Sequence, residues 1–283
     1  MAGDAPALQT LVSGQEAEVL NFLSASPLHT VIMSSKIRDN GLESEQNRGD
    51  FYAYRDREGR LQGVALIGHH VLFAARCEAA LAAFARQARG CGETQIIVGE
   101  QESVTRFWSY YERAGWPPLM WQRGLMLEQT WPVALNEEVP GLRCATLADL
   151  GCVLDAHALM IEAERGSNPL KVDPEGFRAR LVQRLEQGRV WVWIEEGRLI
   201  FKADVVSATP DVFYLEGVYV NPSERGRGYG LRCLTQLSRE LLQRTKSLCL
   251  LVSEENTSAQ NFYRRAGYKP HSNYNIVYLT PRR

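Results

Sequence analysis

Val212-Phe213-Tyr214-Leu215-Glu216-Gly217-Val218-Tyr219-Val220 runs into Asn221-Pro222-Ser223-Glu224 and then into Arg225-Gly226-Arg227-Gly228-Tyr229-Gly230. The first nine residues have the β-branched and aromatic composition of a strand, and Asn-Pro forces a turn. From Tyr229 to about Arg244, Leu231, Leu234, Leu237, Leu241 and Leu242 recur on one helical face. The order is strand, turn, glycine-rich loop, amphipathic helix. Glycines let backbone N–H groups converge on an anion with no Cβ in the way. A helix N-terminus adds partial positive charge, and Arg225 and Arg227 add full charges. A diphosphate suits such a cradle. It is not a Walker loop, because no Gly-Lys-Ser/Thr follows. Nor is it a dinucleotide fingerprint, because no βαβ unit with an acidic residue about 20 positions on accompanies it.

Outward from this stretch, the pattern predicts helices over Ala148 to Arg165 and Pro174 to Gln187, the second with Asp173 as N-cap. Strands are predicted at 190–194 and 199–206, joined by a hairpin turn at Glu195-Glu196-Gly197-Arg198. After the loop and its helix come a strand at 248–252, a helix at 257–266 and a last strand at 274–279. These elements make an α/β (α+β) domain on a mixed sheet.

The segment 134–141 carries Pro140, Gly141 and polar residues without helical period, and reads as a linker between domains at 1–133 and 142–283. The two sides end alike. Ile96-Ile97-Val98-Gly99-Glu100 precedes Arg106-Phe107-Trp108-Ser109-Tyr110-Tyr111-Glu112-Arg113-Ala114-Gly115-Trp116. Leu250-Leu251-Val252-Ser253-Glu254 precedes Asn261-Phe262-Tyr263-Arg264-Arg265-Ala266-Gly267-Tyr268. A period of half the chain indicates a duplicated domain rather than a solenoid.

Arg225-x-x-Gly228-x-Gly230 after Val218-Tyr219-Val220-Asn221-Pro222, followed by Asn256-Thr257-Ser258-Ala259-Gln260-Asn261-Phe262-Tyr263, resembles the paired signatures of the GNAT superfamily of N-acetyltransferases. The resemblance implies two GNAT-like domains, each a mixed, mostly antiparallel twisted sheet flanked by helices. It implies acetyl-CoA as co-substrate and acetyl transfer to a primary amine. Val218, Tyr219 and Val220 would pair with the pantetheine arm; Arg225, Gly226, Arg227, Gly228, Tyr229 and Gly230 would hold the pyrophosphate; Asn256 and Asn261 would add cofactor contacts. Tyr263 would give a proton to the departing thiolate. Glu216 is the first candidate base, with Glu254, Glu162 and Glu164 behind it. The first half has no Arg-x-x-Gly-x-Gly, and its segment from Leu61 to Cys77 passes into the helix Glu78 to Arg89 without a glycine-rich loop. It reads as a degenerate copy without the pyrophosphate site, its aromatics Trp108, Tyr110, Tyr111 and Trp116 belonging to core or interface. The competing reading is an acyl-CoA-binding sensor that has lost its chemistry.

Composition narrows the rest. Over 283 residues the formal net charge is −1, so no global basic field draws the chain to nucleic acid or anionic membrane. No apolar run reaches a membrane-spanning length, and MAGDAPALQT is no signal peptide, which suggests the cytoplasm. The six cysteines include no C-x-x-C pair and read as reduced thiols. His69-His70 would point oppositely in a strand, a poor arrangement for a shared metal, and no metal site is expected. The acceptor amine is unidentified, and the oligomeric state is open.

Overall fold

In the strand Leu61–Gly68 almost every residue is buried, so both faces of the sheet are covered. Alternation sorts its side chains: Val64 and Leu66 join one apolar cluster, Ala65 and Ile67 another. The computed structural model that shows this describes residues 7–112, 117–134 and 137–280. The residues Arg113 to Trp116 of the first repeat ending lie outside that description.

The first half runs β1 (Ala7–Thr10), α1 (Glu16–Leu23), α2 (Pro27–Asn40), β2 (Gly49–Arg55), β3 (Leu61–Gly68), β4 (His70–Ala75), α3 (Glu78–Gly90), β5 (Ile96–Glu100), α4 (Gln101–Tyr111) and β6 (Met120–Gln129). The second runs β7 (Leu142–Cys144), α5 (Leu150–Arg165), α6 (Pro169–Val172), α7 (Pro174–Glu186), β8 (Val190–Glu195), β9 (Arg198–Ala208), β10 (Val212–Val220), α8 (Tyr229–Leu241), β11 (Ser247–Ser253), α9 (Thr257–Arg265) and β12 (Lys269–Tyr278). Apart from the short α6, the two series match element for element. In each, a helix carries the chain between two parallel strands: α3 between β4 and β5, and α8 between β10 and β11. The other recorded pairings within each unit are antiparallel. This is the duplicated α/β architecture expected from the sequence.

By their internal contacts the residues group into two units that interleave along the chain. The first takes residues up to Leu127 together with Leu251–Thr257 and Pro270–Arg283; the second takes Glu128–Leu250 and Ser258–Lys269. The linker read at 134–141 lies inside the second unit. The physical reason for the interleaving is strand pairing. β12, last in sequence, lies antiparallel to β5, with Tyr274 opposite Glu100 and Tyr278 opposite Ile96.

In the first unit α1 and α2 bring Val19, Leu23, Met33 and Ile37 to one face of the sheet, and α3 and α4 bring Phe84 and Phe107 to the other. Trp108 packs against the second cluster, and Tyr111 is buried within it. The stretch Leu61 to Ala75 is two strands, β3 and β4, turning at His69. That turn brings the His69 and His70 rings together edge to face, with centroids 4.9 Å apart, so they do not point oppositely.

In the second unit α5 and α7 cover one face through Val153, Ala156, Leu181 and Leu185, packed on Val190, Val192 and Leu199. Asp149 fixes the entry to α5: its carboxylate accepts from the Thr146 N–H at 2.8 Å and takes a bidentate pair from Arg143. The Arg143 guanidinium holds the Asp149 carboxyl down at about 2. Glu196 and Gly197 both have positive φ, 48° and 74°, as a tight hairpin between β8 and β9 requires. α8 buries Cys233, Leu234, Leu237 and Leu241.

Among the described residues no helix is long and apolar enough to cross a membrane. No His, Cys, Asp or Glu group there is placed to hold a metal ion. All six cysteines are unpaired; burial pushes the Cys233 thiol up to about 12.

Candidate functional site

β10 carries the site because it is irregular on one edge and open on the other. Glu216 lies opposite Asp204 and Tyr219 opposite Lys202, so Gly217 and Val218 together face Ala203. This two-against-one register is a bulge. Gly217 has φ +61°, and a Cβ there would meet Lys202 Nζ at 2.8 Å. On the other edge, the parallel ladder with β11 runs from Val212 to Tyr214 and stops. From Leu215 to Val220, β9 is the only strand partner of β10 among the described residues. The backbone of Val218, Tyr219 and Val220 therefore offers an edge to an extended ligand.

The same strand delivers the glycine-rich loop. The Asn221 side chain accepts from the Ser223 N–H at 3.1 Å and donates to the Leu199 carbonyl at 3.0 Å, tying the turn to β9. Gly226 and Gly228 have φ +80° and +79°, and a Cβ at either would meet nothing within 4 Å. Backbone conformation requires glycine at both positions, and the space beside them is open. Gly228 is the N-cap of α8, whose first N–H groups have no carbonyl one turn back. Gly230 serves another purpose. A Cβ there would lie 2.6 Å from Val220 Cγ2, so its absence lets α8 settle on β10.

The two arginines differ. Arg227 pairs with Glu224 at 3.0 Å, and Glu224 is itself buried. Arg225 Nε donates to the neutral Val220 carbonyl at 3.2 Å. Within the loop, Arg225 thus keeps the charge that Arg227 shares with a carboxylate.

Tyr263 is half-buried on α9, its ring 5.2 Å from Phe262 and 6.0 Å from Tyr268. Asn261 is exposed on the same helix. Tyr263, Asn261, Glu216 and the whole loop lie in the second unit, whereas Glu254 and Asn256 lie in the first. Glu216 is exposed on β10. Glu162 accepts from Asn168 at 2.9 Å, a tie at the end of α5. The side chain of Glu164 lies outside what the structure describes.

Sequence reasoning did not single out the charges under the bulge. Lys202 and Asp204, both 0% exposed, face His157 of α5 and Arg184 of α7. Asp204 Oδ1 is 2.7 Å from Lys202 Nζ; Oδ2 is 3.3 Å from His157 Nδ1 and 3.4 Å from Arg184 Nη1. These contacts are close but poorly aligned as hydrogen bonds. Lys202 Nζ also reaches the Gly217 carbonyl at 3.4 Å, so the cluster touches the bulge itself. Burial pushes the Asp204 carboxyl up, but Lys202, His157 and Arg184 together hold it well below the usual carboxylate range. Burial lowers the Lys202 and His157 pKa values.

The corresponding part of the first half has no such loop. β4 ends at Ala75, and α3 begins at Glu78 from an extended Cys77 with φ −145°.

Compared with known proteins, residues 157–268 match the model of the acetyltransferase (GNAT) family. No curated protein shows significant similarity to the chain. Among solved structures, a Drosophila protein from a structural-genomics programme shares the fold with a TM-score of 0.74 at 15% identity, over 99% of this chain and 100% of that one. A GNAT-family acetyltransferase from Colwellia psychrerythraea gives 0.59 at 13%, over 97% and 100%. A tandem GNAT protein from the clavulanic acid biosynthesis pathway gives 0.60 at 13%, over 96% and 97%. At these identities the likeness is one of fold.

Proposed function

We propose, from the premise that residues 157–268 form a domain of the acetyltransferase (GNAT) family, that this chain moves an acetyl group from acetyl-CoA to a primary amine. The observation that carries the proposal is the open edge of β10 at 218–220 leading into the loop at 225–230 and the N-terminus of α8. An extended arm with amides suits the first, and a diphosphate suits the second. Gly226 and Gly228 leave room beside the backbone for the phosphates. Glu216, exposed on the same strand, takes a proton from the acceptor ammonium through water. The neutral amine attacks the thioester carbonyl, the C–S bond breaks, the Tyr263 phenol gives its proton to the CoA thiolate, and the second proton shed by the nitrogen as the amide forms returns through water to the phenol. Asn261, exposed on α9 in the same unit as the loop, adds a contact to the cofactor.

The test is an acceptor screen with acetyl-CoA, read by release of free thiol. Thiol release with matching N-acetyl product supports the proposal. Tight CoA binding with no release for any amine would instead assign the chain as an acyl-CoA sensor. Calorimetric titration checks the cradle. Gly228→Asp forces a side chain into a left-handed backbone and sets a negative charge against the diphosphate, so CoA affinity should collapse. Arg225→Glu should weaken CoA more than Arg227→Glu, since Arg227 already shares its charge with Glu224. Equal affinity in wild type and Gly228→Asp rejects the cofactor assignment.

The asymmetry of the halves gives a second expectation: native mass spectrometry of the full chain should find one CoA per polypeptide. Two equivalent CoA molecules would mean that the first half also binds the cofactor, despite its short connection between β4 and α3.

A further inference from the structure

The buried pair under the β10 bulge is tied at its back to helices and at its front to backbone. Lys202 and Asp204 are both 0% exposed, and Lys202 Nζ lies 2.7 Å from Asp204 Oδ1. Asp204 Oδ2 faces His157 of α5 at 3.3 Å and Arg184 of α7 at 3.4 Å. On the strand side, Nζ donates to the Gly217 carbonyl at 3.4 Å. A Cβ on Gly217 would come within 2.8 Å of Nζ and 3.3 Å of Asp204 Oδ2. Glycine, at φ +61°, lets the strand settle onto the pair. All of these residues belong to the second unit.

The Gly217 carbonyl decides where the next N–H points. The peptide joining Gly217 to Val218 is trans, and in a planar trans peptide the C=O and the N–H project to opposite sides. With the carbonyl drawn to a side chain of β9, the Val218 N–H is turned away from β9. The register gives neither Gly217 nor Val218 a partner on that strand. On the other edge of β10 the ladder with β11 has already ended at Tyr214. The bulge thus aims one backbone donor at the open edge, and the buried lysine holds the aim.

The course of the pantetheine arm says what this donor would meet. With the diphosphate at 225–230 and the arm running back along 218–220, the acyl end is the part farthest from the loop. It arrives at the bulge.

We propose that Lys202, backed by Asp204, is a positioning residue for acyl transfer: by clamping the Gly217 carbonyl it fixes the Val218 N–H as a donor to the thioester carbonyl oxygen. This rests on the acetyl-CoA reading of the same strand. A donor held in place before the reaction needs no reorganisation as charge grows on that oxygen.

The experiment compares three ligands by calorimetric titration of the full chain: CoA, acetyl-CoA and S-ethyl-CoA, which keeps the two acyl carbons but has no carbonyl oxygen. Wild type should bind acetyl-CoA roughly 3- to 10-fold more tightly than S-ethyl-CoA, the yield of one hydrogen bond. The double substitution Lys202→Met with Asp204→Leu removes the clamp and keeps the interior filled. It should bring those two affinities together while CoA itself binds as it does to wild type. A purely structural role would weaken all three ligands alike and leave the ratio standing. Gly217→Ala reaches the clamp from the strand side: its methyl displaces Nζ from the carbonyl without removing either buried charge, and should erase the same preference. Should the double variant fail to fold, Gly217→Ala decides alone. Equal binding of acetyl-CoA and S-ethyl-CoA by wild type overturns the proposal, as does a preference that survives the double substitution. The two readings fail separately. A chain that binds none of the three ligands refutes the acetyl-CoA reading and this proposal with it. A chain that binds CoA but does not distinguish acetyl from ethyl refutes the clamp alone.

Discussion

Replacing Tyr263 with Phe should lower turnover by roughly 10²–10⁴-fold, the range for lost acid–base help, while folding and CoA affinity stay near wild type. The substitution removes one hydroxyl from a half-buried ring and keeps its contacts with Phe262 and Tyr268. The loss should appear in kcat rather than KM, because thiolate charge develops only as the C–S bond breaks. A thiolate is a good leaving group, so the effect belongs toward the lower end of the range. Product release can hide a slowed chemical step, so single-turnover rates are the measurement to make. Wild-type single-turnover rates in Tyr263→Phe, with an acceptor that the native protein uses well, would make Tyr263 a packing residue and leave the thiolate to be protonated by water.

Asp204→Asn should destabilise the fold by about 3–5 kcal/mol, the cost of breaking a buried ion pair from one side. The variant leaves Lys202, 0% exposed, without the carboxylate 2.7 Å away, and Arg184 without its anion at 3.4 Å. Urea unfolding at neutral pH measures this. The double substitution Lys202→Met with Asp204→Leu should recover much of the loss, because apolar groups of similar volume often replace a buried pair at little cost. The pH dependence has a definite sign. The folded-state pKa of Asp204 is depressed, so its contribution is fully present above the unfolded value and is lost as pH falls towards the folded one. The stability gap between wild type and Asp204→Asn should therefore narrow from about pH 4 downwards. Wild-type stability in Asp204→Asn, or a gap that does not change with acid, would show that the charges are not coupled in this way.

The loop from Gly226 to Gly230 was legible because its requirements are local: positive φ at Gly226 and Gly228, and the close approach of Gly230 to Val220. The α8 periodicity translated directly into buried Leu234, Leu237 and Leu241. The Lys202–Asp204 pair was not legible for a physical reason. Polar residues at 202 and 204, alternating with Phe201, Ala203 and Val205, have the period of a strand with one wet face. Only the helices α5 and α7, packed over that face and bringing His157 and Arg184, turn it into an interior. His157 in turn sits at an apolar position of the α5 period, where nothing in the sequence marks it as the neighbour of an aspartate. The reversal at His69 escaped notice because no Asn-Gly or Pro announces it. It depends on Gly49 and Gly68 touching, where a Cβ on Gly68 would lie 2.2 Å from the Arg48 carbonyl oxygen.

The placement of β12 has a consequence for how such a chain can be divided, by evolution or in the laboratory. A duplicated gene can shed its spare copy only where one cut separates two self-sufficient products. Here a cut at the linker would release a second half whose last strand, Pro270 to Tyr278, has lost β5 as its neighbour. It would also leave a first half whose β5 presents a raw edge from Ile96 to Glu100, the kind of edge that recruits other chains into aggregates. The half without the glycine-rich loop is therefore not disposable: it houses the terminal strand of its sibling, and the two copies persist as a single inheritance.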